Sequence, residues 1–372
     1  MTNPISPQDR PRKTLILHIG DHKTGSTSIQ NAFAAGRVSL QGREVLYPGN
    51  LDHNYLNRHV QAAARDKTPP KNQPGMPNLV QIVEQMAESP TDTCLLSGES
   101  FENIAPEELR AALDRLFLPR FPEMTLRIIV YIRPHAGRLL STFSEQVKIG
   151  WYQGDLPGMF TRTLKSKRFF FAPRLRRWRE VFGDQLLIRP MIRKELLNGS
   201  VVDDFVATAF DGQPFEIAAG PASNESLGLE DLMLIKYVHS HLGQTEKGAR
   251  LGLGWEIAQN INAAKGDSKT TKLQIHKGLA RRIRNTYLED ARTLDAEFFG
   301  NRGLFEADLG KAVETAAPKQ QSVDPNDYFN PRELRDIALL AKTMAGMLGR
   351  DQMRWAFWFR ARRAEMVQTP SP

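Results

Sequence analysis

Four runs of apolar and β-branched residues punctuate the first half of the chain, each followed by a polar turn and then by apolar positions at helical spacing. Leu15, Ile16, Leu17 and Ile19 form the first, Gly20 and Gly25 mark the turn, and Ile29 and Phe33 continue as one helix face. Thr93 to Leu96 is the second run, ending in Ser97-Gly98-Glu99. Leu126 to Ile132 is unbroken, as expected of a strand buried on both faces, and Pro134 then opens a helix whose apolar face is Ala136, Leu139, Leu140, Phe143 and Val147. The fourth run, Leu186 to Ile188, lies between a helix carrying Leu175, Trp178 and Phe182 and another carrying Phe205. Strand, turn and helix in repeated alternation predict an α/β fold with a central parallel sheet flanked by helices. From Gly228 to about Phe299 the pattern is helix-rich instead, so the expected organisation is a flexible terminus over 1–13, an α/β core over 14–222 and a helix-rich part over 223–372 that packs on or extends the core. Loops are expected near Gly266 and at Ala316-Ala317-Pro318, and Lys67 to Pro77 is too proline-rich for helix or central strand, which suits a lid or a connection.

The first strand–turn–helix carries the strongest chemistry. Backbone N–H groups from Thr24 to Thr27 lack intrahelical partners at a helix N-terminus and so make a cradle for phosphate or sulfate, with the hydroxyls of Ser26 and Thr27 as further donors. A Walker A loop would place Lys directly after the second glycine, but Ser26 stands there and the lysine is Lys23, inside the turn. An ammonium at that position approaches a nucleotide's 5′ end from the turn itself. The third strand ends in Arg133, and Ser141 follows eight residues later, just off the apolar face of the helix. A guanidinium fork and a hydroxyl suit a dianionic phosphate monoester.

Lys23-Thr24-Gly25-Ser26-Thr27 after a strand resembles the 5′-phosphosulfate loop of sulfotransferases that use 3′-phosphoadenosine 5′-phosphosulfate, and Arg133 with Ser141 resembles that superfamily's 3′-phosphate pair. Ala172 to Phe205 and Asn224 to Leu227 are also similar to bacterial and carbohydrate sulfotransferases, so the likeness covers roughly the first 240 residues. It implies a P-loop-like sulfotransferase fold. Lys23, Thr24, Gly25, Ser26, Thr27, Arg133 and Ser141 would then bind the donor, and the product would be adenosine 3′,5′-bisphosphate. The Arg-Lys-Gly and Gly-Asp-Trp-Lys motifs of the phenol-sulfating branch are missing, which points to a carbohydrate or glycolipid acceptor.

Sulfuryl transfer passes through a loose in-line transition state in which charge grows on the bridging oxygen, so Lys23 is expected to catalyse as well as bind. The acceptor's proton needs a base. Glu99, at the carboxyl end of a central strand, is the first candidate; a helix-capping carboxylate is its bland alternative. Carbohydrate sulfotransferases use a Glu in this role, which favours the base. His22 beside Lys23 is the rival base, and His53 in Asp-His-Asn is a candidate acceptor contact. No metal is expected, since neither His18 with His22 nor His53 with His59 has ligand spacing on a shared element.

Composition narrows the remaining classes. A formal net charge of +8 fits an acidic ligand, yet the basic run from Arg162 to Arg179 is accounted for by solvated helix faces, and no nucleic-acid module is present. The one cysteine, Cys94, lies in an apolar run and reads as a buried, inert thiol; together with a polar, Pro-rich N-terminus and no bilayer-length apolar stretch it suggests an intracellular protein. Met353 to Met366 combines aromatic residues with Arg360, Arg362 and Arg363, as a helix docked on its own domain or in peripheral contact with an anionic membrane would. Two rivals to a sulfotransferase are kept: a nucleotide kinase or other NTPase using the same cradle, and a non-catalytic nucleotide-binding scaffold.

Overall fold

A computed structural model describes residues 12–71, 75–220, 227–264 and 270–368. Asn224, Glu225 and Ser226, the loop at Gly266 and part of the Lys67 to Pro77 loop lie outside the described residues. The chain forms two compact units, one of residues 1–133, 173–221 and 367–372 and the other of residues 134–172 and 222–366.

The first unit is built on a five-stranded parallel sheet. Its strands are β1 (Thr14–His18), β3 (Val45–Leu46), β4 (Thr93–Ser97), β5 (Thr125–Ile132) and β6 (Leu186–Pro190), in the order β3-β4-β1-β5-β6. Each of the four apolar runs is thus a strand; β3 is too short to show in the pattern. A separate antiparallel pair joins β2 (Val38–Leu40) to β7 (Phe215–Ile217). The helices of this unit are α1 (Ser26–Ala34), α2 (Leu56–Ala64), α3 (Leu79–Glu88), α4 (Pro106–Leu116), α8 (Val201–Ala209) and most of α7 (Phe171–Phe182). Ile16, Leu95, Ile129 and Tyr131 of the sheet pack with Ile29 and Phe33 of α1 and Phe205 and Val206 of α8 in one core cluster. Leu15, Leu17, Leu96, Ile128 and Val130, which alternate with them, are equally buried, so both faces of the sheet are covered. Asp204 anchors β6 and α8 to β5: it accepts from Tyr131 Oη at 2.7 Å and Arg189 Nε at 3.0 Å. Those hydrogen bonds hold its carboxyl below the ordinary value against the opposing effect of burial. Cys94 is buried and its thiol is pushed well above the ordinary range by desolvation, as an inert core residue should be.

The second unit is helical. It contains α5 (His135–Lys148), α6 (Leu156–Lys165), α9 (Leu229–Ser240), α10 (Lys247–Ala264), α11 (Lys277–Phe298), α12 (Leu304–Glu314), α13 (Pro331–Gly349) and nearly all of α14 (Gln352–Gln368). Here the packing departs from the division at 222. α5 and α6 belong with the C-terminal helices, because α5 packs on α6, α9, α10, α11 and α12. Buried His135 stands 2.9 Å from Asp290 and stacks on Tyr287, while Asp290 accepts the Phe171 and Ala172 amides at 3.0 Å. Phe359 of α14 is buried with Val238, Leu242, Leu253, Ala341 and Leu348, so this helix docks on its own unit. Among the described residues no helix is long and apolar enough to cross a membrane.

Candidate functional site

The turn after β1 stays laddered to β5 beyond the end of the strand. Ile19 N–H donates to Ile129 O at 3.0 Å, Tyr131 N–H to Gly20 O at 2.7 Å and Asp21 N–H to Tyr131 O at 3.0 Å. Gly20, at φ 97°, is needed here for a second reason: a Cβ would lie 3.1 Å from Glu99 Cα. The absent side chain therefore lets the turn run directly against the backbone of Glu99. Lys23 occupies the left-handed region at φ 63°, a conformation uncommon for a non-glycine residue and frequent where a binding turn is held by its surroundings.

Asp21 supplies much of that holding. Its buried carboxylate takes two hydrogen bonds from Arg174, each of 2.7 Å, and its carbonyl accepts from Thr24 Oγ1 at 2.5 Å and Ser26 Oγ at 3.4 Å. The hydroxyl of Thr24 is thus committed to the turn, and the side chain of Ser26 is buried as well. Both serve the loop's shape, and what the helix start offers an anion is chiefly backbone N–H. Gly25 is the N-cap of α1 at φ 86°, with no side-chain cap. Thr27 follows in the first turn, half-buried.

Glu99 opens a 3₁₀ turn, Glu99–Asn103, one residue after the end of β4, with Gly98 as its N-cap. Its carboxylate is partly exposed and lies 4.0 Å from His22 Nε2. Glu102, one turn on, is almost fully buried; it accepts the His22 main-chain N–H at 2.9 Å and stands 3.1 Å from Nδ1 of the same ring. Because β4, β1 and β5 are parallel neighbours, the turn with His22 and Lys23, the Glu99 turn and Arg133 all follow the carboxyl ends of adjacent strands. Ser141 lies in α5, within the helical unit.

His53 does not reach a substrate surface. It is fully buried, Nδ1 accepts the Ser97 N–H at 3.0 Å, and Nε2 contacts the carbonyl of Pro48. Those bonds, with His53 N–H to Ser97 O at 2.8 Å, make it a strut between the segment before α2 and the end of β4. Beside it, buried His18 bonds Ser97 Oγ at 2.8 Å, and desolvation drives its pKa down to about 3, so the ring is neutral. Among the described residues no group of three His, Cys, Asp or Glu is arranged to hold a metal ion.

Three participants escape the sequence pattern. Arg174 falls in the basic run accounted for by solvated helix faces, and Asp21 and Glu102 belong to no motif in the sequence. Only the i, i+3 spacing of Glu99 and Glu102 hints that both carboxylates share one side of a turn.

No family model matches the sequence, and no curated protein matches it. Among solved structures the chain is similar to a sulfotransferase from Alicyclobacillus acidocaldarius, with 11% identity over 78% of this chain and 96% of that chain, at a TM-score of 0.40.

Proposed function

We propose that the protein is a sulfotransferase that moves a sulfuryl group from 3′-phosphoadenosine 5′-phosphosulfate to a hydroxyl, or an amine, of a carbohydrate or glycolipid. The observation that supports it best is the turn from Gly20 to Ser26: a lysine in the left-handed region before the second glycine, a helix start after it, and Glu99 against its backbone. In this reaction the N–H groups of Thr24, Gly25, Ser26 and Thr27 hold the 5′-phosphosulfate. Lys23 meets the charge that grows on the bridging oxygen as the S–O bond breaks. Glu99 takes the acceptor's proton, and Arg133 and Ser141 are assigned to the 3′-phosphate. Orientation and charge supply the rate, so no metal is called for in the transfer step. His53, enclosed by backbone, is left out of the acceptor site.

Calorimetry with adenosine 3′,5′-bisphosphate against ATP plus Mg²⁺ separates this function from a kinase or NTPase. Binding of the bisphosphate with no preference for the triphosphate supports it; the reverse order refutes it. A donor-fed screen of sugars, glycolipids and phenols, read as the mass gain of one sulfuryl group, then tests the acceptor class. Lys23→Ala and Glu99→Gln should keep the fold and lose transfer by about 100-fold or more, whereas a scaffold would have no transfer to lose.

A further inference from the structure

We infer that α13 and α14 together form a docking surface that seats the helical unit on a bilayer of anionic lipid. Among the described residues twelve large apolar side chains are exposed, and seven of them fall on these two helices, including Leu339, Leu340 and Met347 of α13 and Met353, Phe357 and Trp358 of α14. Leu340 is 67% exposed and Met353 62%. This exposure follows from how the helices dock. Leu334, Ala341 and Leu348 of α13 recur every seven residues and are buried, whereas Leu340 and Met347 each precede one of them by a single residue and so lie about 100° away round the helix. Phe357 stands two residues before buried Phe359, which puts it on the opposite side of α14. Each helix is thus apolar where it docks and apolar again where it is open, and a helix whose outer face meets only water has no use for the second surface.

Charge selects what covers this surface. Residues 331–368 hold eight Lys and Arg against four Asp and Glu, so half of the chain's formal +8 lies in about a tenth of its length. Arg335 and Arg362 are paired with Asp336 and Glu256, but Lys342, Arg350 and Arg354, which lie among the exposed apolar residues in sequence, make no ion pair among the described residues. A second copy of the chain on the same patch would set this cationic face against its own twin, because a two-fold contact pairs identical surfaces. Anionic headgroups supply the opposite charge instead. The acyl boundary takes up the Leu, Met and Phe side chains, and the Trp358 ring suits the headgroup level. Contact in the plane of the interface also fits the helices themselves, since among the described residues none is long and apolar enough to cross a membrane. Docking of this kind does not depend on the sulfuryl transfer proposed above, and it is read without turnover.

The test is flotation of the full chain with vesicles of phosphatidylglycerol and, separately, of phosphatidylcholine, with sedimentation of the protein alone beside it. The wild type should float with the anionic vesicles only, and raising the ionic strength from about 0.1 M to about 1 M should release it. Arg350→Gln with Arg354→Gln should weaken partitioning about 20-fold, and Leu340→Ser with Met347→Ser about tenfold or more. All four substitutions are at exposed positions, so the thermal unfolding transition of each variant should match the wild type. No flotation with phosphatidylglycerol at low salt, or equal flotation with both lipids, overturns the inference. So does a concentration-dependent dimer that Leu340→Ser with Met347→Ser dissolves, since that result assigns the surface to a second copy. Loss of sulfuryl transfer with flotation intact would instead count against the proposed function alone.

Discussion

Replacing Gly25 by Ala tests how the anion turn is built. The residue sits at φ 86° and ψ 11° as the N-cap of α1. An added Cβ would lie 2.8 Å from Val201 Cγ1 and 3.3 Å from both Val201 Cβ and Cγ2. Val201 begins α8 and packs on the cluster that holds α1 against the sheet, so it has little room to withdraw. Left-handed backbone at a residue with a Cβ costs about 1 kcal/mol, and overpacking at this contact about 1–3 kcal/mol. The lower entropy of the unfolded alanine chain offsets about 0.5 kcal/mol, which leaves a net loss of about 1.5–3.5 kcal/mol. Urea unfolding of the wild type, Gly25→Ala, Val201→Ala and the double variant separates the contributions. Trimming Val201 removes the overlap but not the backbone penalty, so Gly25→Ala should cost only about 0.5 kcal/mol in the Val201→Ala background. Affinity for adenosine 3′,5′-bisphosphate should follow the same order, weakened most in the single glycine variant. An equal cost in both backgrounds, within about 0.5 kcal/mol, would refute the contact as the cause.

Three further outcomes are expected. Arg174→Ala strands the buried Asp21 carboxylate and should cost about 3 kcal/mol in urea unfolding, with Asp21→Asn in that background recovering part of it; a cost below about 1 kcal/mol would show that the pair does not hold the turn. His18 is held neutral with a pKa of about 3 against an ordinary 6.5, so the stability it permits is complete above pH 6.5 and is lost as the pH falls towards 3, at about 1.4 kcal/mol per pH unit per proton. His18→Asn should reduce the slope of unfolding free energy between pH 6 and pH 4 by about one proton, and an unchanged slope would assign that proton elsewhere. Phe357 and Trp358 of α14 are exposed beside Arg354 and Arg362, so co-sedimentation with phosphatidylserine vesicles, but not with phosphatidylcholine vesicles, is the expected sign of membrane contact; Phe357→Ser with Trp358→Ser should abolish it, and equal behaviour towards both vesicles would exclude an electrostatic surface.

The amino-acid pattern by itself determined the four main strands, the α/β class and the turn after β1, because each depends on short-range signals: β-branched apolar runs, paired glycines and the helical recurrence that follows them. It also placed Lys23, Glu99 and Arg133 at strand ends, which a parallel sheet gathers on one edge without further information. Tertiary structure decided the rest. The grouping of α5 and α6 with the C-terminal helices depends on which apolar faces meet, and an amphipathic stripe does not name its partner. His53 looks available in its polar triplet, yet backbone groups of Pro48 and Ser97 enclose its ring. Arg174 and Asp21 stand 153 positions apart in the chain and Glu102 lies 80 positions from His22, so no local pattern could pair them. Charged contacts of that kind are set by the folded backbone, which brings distant polar groups within hydrogen-bond reach only after the apolar core has fixed its path.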